Sequence, residues 1–461
     1  MAINLAKITT TYGLELLICV KQNHDSLLCQ RLQALTKTDK DYWSFRGNCR
    51  REYSHGMFQY PAMMVPQVAQ AILQQIYVVH PELEWVGDPF SGSGTIMTES
   101  MMNGLAFSGT DINPLAVLIC RVKSGPYFTK ALKEKIENLK ACIVSDRKWT
   151  VETSFPNIEK WFNKDIQIAL SKIQRGIRKE KAAWARSFFW IALAETVRAS
   201  SNSRTSTYKL HIRPQKEIEG RISDPIKVFK NTLDRNFKHY QEQAKRLSNA
   251  GYLQRGRYQR EVSVSLADIR DFNQRKKVDT IITSPPYGDN ATTVPYGQYS
   301  YLPLQWVDLE DIDPNIDKDC LISTHELDSR SLGGRKRLIK SEADQITQRS
   351  SALAKYMKSL NGQPRDRAIR VIAFFRDIDA SLGPILKGLN RGGLMVWVLG
   401  NRKVGGKRVP FDLILSDLLQ EHNAKLLCKL TRSISSKRMA LKNNIADTMS
   451  KETILVMRKA I

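Results

Sequence analysis

The sequence predicts an open, doubly wound α/β sheet. Short apolar runs alternate with helical periods along much of the chain, and three of the runs end in sharp turns rich in glycine or proline. In such sheets ligands sit outside the carboxyl ends of the strands, so those turns are where chemistry is expected.

The first helix is predicted from Val65 to Val79, where Val68, Ala69, Ile72, Leu73 and Ile76 recur at helical spacing behind Pro66. Glu84 to Asp88 follows as a short buried strand, and Leu105 to Asp111 as a second. From Tyr127 to Gln259 the pattern changes to long basic helical runs, Ile166 to Ile177 and Ala182 to Val197 among them, broken by the polar stretch Ala199 to Ser206. This reads as a helical insertion. Strands resume at Glu261 to Leu266 and at Val278 to Thr283. Residues 308–367 are polar, charged and turn-rich, Ala368 to Leu389 is helical, and Gly393 to Leu399 is a strong buried-strand candidate. The last strands are expected near Lys425 to Leu430 and Thr453 to Met457. The organisation expected is therefore 1–126 as the first part of a catalytic domain, 127–259 as the insertion, and 260–461 as the second part, itself interrupted at about 308–367.

Composition narrows the function. The chain has 461 residues, with 71 Lys and Arg against 46 Asp and Glu, a formal charge of +25. A surface of that sign attracts polyanions, nucleic acid first among them. The apolar stretch Leu14 to Val20 is short and interrupted by Glu15, unlike a secretory leader. No window approaches the roughly 20 apolar residues that span a bilayer, so no membrane partner and a cytoplasmic location are expected. Seven cysteines lie scattered without a CxxC or a Cys/His cluster. They are read as small buried side chains kept reduced, with neither a disulfide framework nor a metal site.

Three turns carry chemistry. In DPFSGSGT, Asp88 to Thr95, a carboxylate at a strand end can receive an ammonium group, while Gly92 and Gly94 allow close backbone approach and the next helix offers free N–H groups. In GTDINP, Gly109 to Pro114, Asp111 ends the next strand, where a carboxylate can bind both hydroxyls of a ribose. In TSPPY, Thr283 to Tyr287, two prolines fix carbonyls and the Ser284 hydroxyl so that they accept hydrogen bonds from an amino group, with Tyr287 placed to stack on a planar ring.

Together the three motifs resemble those of the DNA amino-methyltransferases, which methylate cytosine N4 or adenine N6. The resemblance covers roughly residues 55–120 and 260–458. It implies a Rossmann-like class I methyltransferase sheet with a reversed final strand, S-adenosylmethionine as cofactor, and a base flipped out of double-stranded DNA. By position, Asp88, Phe90, Gly92, Gly94 and Thr95 surround the methionine part of the cofactor, and Asp111 holds its ribose. Asp268 meets the adenine amino group, and Pro89 and Ile112 complete the set. The segment His55 to Pro66 closes over the methionine. Ser284, Pro285, Pro286 and Tyr287 form the catalytic motif. Ser at its first place goes mostly with cytosine N4, and Asp or Asn mostly with adenine N6, so cytosine N4 is favoured.

Two departures stand out. The catalytic motif follows the cofactor motif, whereas in many enzymes of this type it precedes it, and the insertion splits the second strand from the third. Adenine N6 is the alternative target, an RNA base methyltransferase a further one, and methylation of a protein glutamine more distant. Carbon-5 methylation is a poor fit, because it needs a cysteine nucleophile and the chain has no Pro-Cys. Target recognition is expected from the insertion, where residues 201–260 hold 14 Lys or Arg against 5 Asp or Glu. Arg198, Arg204, Lys209 and Arg213 are the DNA-contact candidates there, and Arg335, Lys336 and Arg337 compete from the later insertion. The resemblance also allows for a cognate restriction endonuclease and leaves the oligomeric state open.

Overall fold

In a computed structural model, residues 23–49, 51–272, 276–335, 339–360, 365–434 and 450–460 are described. Helix α1 (Pro66–Val79) begins with the proline at its first turn and buries Val68, Ala69, Ile72 and Ile76. Then come β1 (Trp85–Asp88), α2 (Thr95–Met102), β2 (Ala106–Asp111) and α3 (Pro114–Lys123). Residues 127–259, the segment expected to be an insertion, hold α4 (Thr129–Ser145), α5 (Lys164–Lys179), α6 (Ala183–Ser200) and α7 (Pro225–Asn249). Strands β3 (Val262–Leu266) and β4 (Val278–Thr283) precede α8 (Tyr296–Trp306), the short α9 (Glu326–Arg330) and α10 (Arg365–Lys387). The chain closes with β5 (Leu389–Gly400), α11 (Phe411–Glu421), β6 (Ala424–Ser433) and β7 (Lys451–Lys459).

The seven strands form one sheet in the order β6-β7-β5-β4-β1-β2-β3. β1, β2, β3, β4 and β5 pair in parallel, and β7 runs antiparallel to both β5 and β6. The expected reversed final strand is therefore present. β5 starts earlier than its apolar run suggests and α10 stops sooner, because the Gly388 carbonyl accepts from Val278 N–H and turns the chain into the sheet.

Alternation along β5 shows why its run is apolar throughout. Leu394, Val396 and Val398 join the core on one face, while Met395, Trp397 and Leu399 join the core on the other. A strand covered on both faces has no polar side to present. The first core is also that of the insertion: Leu170, Phe188, Trp190, Phe229 and Leu233 belong to the same apolar cluster as Leu115 and Val117 of α3. Helix α6 is buried nearly all round, as a helix packed between others must be.

Residues 308–367 hold more helix than their polarity suggests, including Lys340–Gln348 and Ser351–Ser359. The uniform reading of the cysteines needs correcting. Cys120, Cys320 and Cys428 are buried, but Cys29 and Cys142 are half-buried and Cys49 is exposed. Among the described residues no helix is long and apolar enough to cross a membrane, and no cluster of side chains could hold a metal ion.

Candidate active site

Because β1, β2, β3 and β4 are parallel neighbours, their carboxyl ends lie on one edge of the sheet. There they surround a cavity. Its wall includes Asp88, Pro89, Phe90, Gly92, Thr95, Asp111, Ile112 and Asp268, with Ser284 and Pro286 alongside. Gly94 and Pro285 stand off the wall. The position lies between β1 and β4, where the chain order of the sheet reverses, and that is the expected ligand crevice.

Two carboxylates set its electrostatics. Asp88, 4 % exposed, accepts from Thr283 Oγ1 at 2.6 Å and from Phe90 N–H at 3.0 Å, yet burial lifts its carboxyl to about 7. Asp111 accepts from the amides of Gly92 and Asn113, each at 2.8 Å, and burial lifts it to about 6. Both therefore gain from a ligand that brings positive charge or hydroxyl donors. Asp268 is less free, because Arg270 forks onto it and also reaches Asp377 at 3.2 Å and the Arg330 carbonyl at 2.7 Å. Any ligand amine at Asp268 shares that carboxylate with a guanidinium.

The glycine turn is built from behind. Gly94 has φ +73°, and a Cβ there would lie 2.9 Å from Cys120 Sγ, so both conformation and space require glycine. Lys123, at the end of α3, is 0 % exposed and donates from Nζ to the Ser93 carbonyl at 2.7 Å. It has no ion-pair partner among the described residues, and burial lowers its pKa to about 8. Helical position alone gives no sign of this contact, although a lysine ending a mostly apolar helix is the available hint.

Other wall residues come from tertiary structure. Tyr60 stacks on Tyr296 with ring centres 5.6 Å apart, and its hydroxyl accepts from Asn113 Nδ2 at 2.9 Å. Asn113 also donates to Ser300 Oγ and caps α3 through Leu115 N–H. Met63 and Met64, from the segment expected to close over the site, line it too. So do Leu327, Arg330, Ser331 and Leu332, which the later insertion contributes. Asn290 is 3 % exposed; its side chain bonds to Asp328, and its Oδ1 has no donor among the described residues.

The Ser-Pro-Pro-Tyr turn corrects one expectation. Ser284 and Pro286 face the cavity, but the Tyr287 ring turns away and lines a separate small cleft with Phe374, Phe375 and Phe411. Its hydroxyl lies 3.1 Å from Ser284 Oγ and donates to Glu452 Oε1 at 3.1 Å. Apolar side chains of α10 and α11 pack against the ring, and Tyr287 itself is half-buried beside the cavity rather than part of its wall. Beyond it, Gly288 has φ +145° and lies against Arg402, whose guanidinium occupies the space a Cβ would need.

The basic candidates divide. Arg198 is not available to a polyanion, because it stacks on Tyr299 at 3.5 Å and donates to the Tyr299 carbonyl. Arg204 and Arg213 both flank Glu217, at 3.6 and 3.7 Å, where Ser203 and Ile212 bridge. Lys209 and Arg335 are exposed, whereas Lys336 and Arg337 lie outside the described residues.

No family model matches the chain. It is 30% identical over 456 residues to the type II methyltransferase M.MvaI of Kocuria varians, covering 95% of this chain and 98% of that one. A stretch of 85 residues is 33% identical to the type II methyltransferase M.MjaII of Methanocaldococcus jannaschii, covering 18% and 16% of the two chains. Among solved structures, the rRNA methyltransferase aviRa of Streptomyces viridochromogenes aligns over 86% of each chain at 11% identity. The TM-score of that alignment is 0.30.

Proposed function

The chain belongs to the type II methyltransferases, and from that premise we propose that it transfers a methyl group from S-adenosylmethionine to the N4 amino group of a flipped cytosine at specific sites in double-stranded DNA. One observation carries the reading: the two lifted carboxylates and the Ser-Pro-Pro turn open onto a single cavity.

The residues fit the cofactor. Asp88 suits the ammonium of its methionine part, and Asp111, by exchanging its bond to the Gly92 amide, suits the ribose hydroxyls. When bound, S-adenosylmethionine supplies an electrophilic methyl group. Ser284 then accepts a hydrogen bond from the target amine, drawing its lone pair out of conjugation with the ring and aiming it at the methyl carbon; as the N–C bond forms the C–S bond of the sulfonium breaks, and the surplus proton leaves the nitrogen to water. Positioning of this kind supplies most of the rate. The insertion at 127–259 is proposed to meet the duplex through Arg204, Lys209 and Arg213, with Arg335 contributing from the later insertion.

Serine at position 284 favours cytosine over adenine. Digestion of DNA methylated by the protein, followed by mass spectrometry of the nucleosides, should show N4-methylcytosine. N6-methyladenine would overturn the choice of base, and label appearing only in RNA would overturn the choice of nucleic acid.

A further inference from the structure

We infer that Glu452 is a positioning residue that acts through Tyr287 to fix the direction of the Ser284 hydroxyl proton. The inference rests on the methyl-transfer reading above, since it assigns Ser284 the task of accepting from an amine.

Three contacts form a chain. Ser284 Oγ lies 3.1 Å from Tyr287 Oη, Tyr287 Oη lies 3.1 Å from Glu452 Oε1, and Glu452 is ion-paired with Arg432. Glu452 and Arg432 face each other in the register of β7 and β6, and Arg432 is pinned further by donating to the Trp43 carbonyl.

Donor counting sets the direction. A carboxylate paired with a guanidinium can only accept, so the single phenolic proton of Tyr287 goes to Glu452. The Tyr287 oxygen then has only lone pairs for its other neighbour, and the Ser284 hydroxyl must donate to it. Electrostatics around Tyr287 agree, because the Ser284 contact stabilises a phenolate and the Glu452 contact opposes one.

The consequence falls on the cavity side. A free serine hydroxyl is a rotor that both donates and accepts. Pointed at an amine, its proton would capture the lone pair that has to attack. Held toward Tyr287, Ser284 presents lone pairs alone and can accept from the amine N–H. The turn of the Tyr287 ring away from the cavity thus has a use besides packing.

The test is a double-mutant cycle on the full-length protein, read as single-turnover DNA methylation with saturating S-adenosylmethionine. Glu452→Gln and Tyr287→Phe should each slow the step by about ten- to a hundredfold, as loss of a buried hydrogen bond to a charged group does. Because Glu452 acts through Tyr287, the double variant should be no slower than Tyr287→Phe alone. Affinity for S-adenosylmethionine should not change. Multiplying effects, or single variants as fast as the parent, would overturn the relay. Should Glu452→Gln unfold by stranding Arg432, the paired variant Glu452→Gln, Arg432→Gln takes its place under the same criteria. If the unaltered protein methylates no DNA, the underlying reading fails instead, and the two failures are distinguishable.

Discussion

Thr283 Oγ1 donates a 2.6 Å hydrogen bond to Asp88 Oδ1, joining the last residue of β4 to the last residue of β1. The strand that carries the turn proposed to be catalytic is thereby tied to the carboxylate proposed to hold the cofactor amine. Removing the donor in Thr283→Val should push the Asp88 carboxyl higher still. S-adenosylmethionine affinity at neutral pH should fall by about tenfold, the worth of one buried hydrogen bond to a charged group, and recover in part at higher pH. Calorimetry at two pH values checks both statements.

The pH dependence of the parent protein follows from Asp88 at about 7 and Asp111 at about 6. Both are raised above the ordinary carboxylate value, so between about 4 and 7 the folded chain holds protons that the unfolded chain has released. Stability of the ligand-free protein should therefore fall as pH rises through that window. A cationic ligand needs the charged carboxylate, so cofactor affinity should rise over the same range and level off above it. Thermal melts with and without S-adenosylmethionine, from pH 5 to pH 8, are expected to diverge as pH increases.

Lys123 should separate the stability of the fold from the shape of the turn proposed to hold the cofactor. Its ammonium is buried with no carboxylate paired to it among the described residues, so Lys123→Met removes a costly charge along with the bond to the Ser93 carbonyl. Global stability should change by no more than about 2 kcal/mol, because the two effects oppose each other. Cofactor affinity should nevertheless drop about tenfold as the turn loosens. Denaturant unfolding and calorimetry on the same sample would reveal the split; a parallel loss in both would mean that Lys123 serves only the fold.

Glu217 sits between Arg204 and Arg213 and competes with phosphate for them. Glu217→Gln should tighten DNA binding, while replacing Arg204, Lys209 and Arg213 together should weaken it. The salt dependence should then become shallower by about one unit for each phosphate that the protein no longer neutralises. Arg198→Ala, by contrast, should lower thermal stability and leave the salt slope unchanged, since that guanidinium is spent on Tyr299.

Strand ends are the most legible part of the chain. Asp88, Asp111 and Ser284 each close an apolar run, and local pattern is enough to locate such positions. Contacts formed across the fold are not legible in that way. Tyr60 and Tyr296 are far apart in sequence and meet only because α8 packs beneath the cavity; Leu327 to Leu332 lie in a segment whose polarity hides its place on the wall. Arg198 escapes a count of charges, which cannot tell a solvated guanidinium from one lying on a ring. The direction of the Tyr287 ring depends on three phenylalanines of α10 and α11 that nothing in the tetrapeptide announces. Arg270 stands two residues after Asp268, and that spacing is the available sign of their ion pair.

The insertion has no core of its own; its aromatic residues and one face of the sheet make a single apolar body. Such a segment cannot be exchanged as a cassette. Grafting residues 127–259 from a relative would bring side chains shaped for another sheet, and every misfit would register in the core they share with it. Substitutions that leave this body undisturbed are expected at exposed positions between the helices, such as Arg204, Thr205 and Ser206.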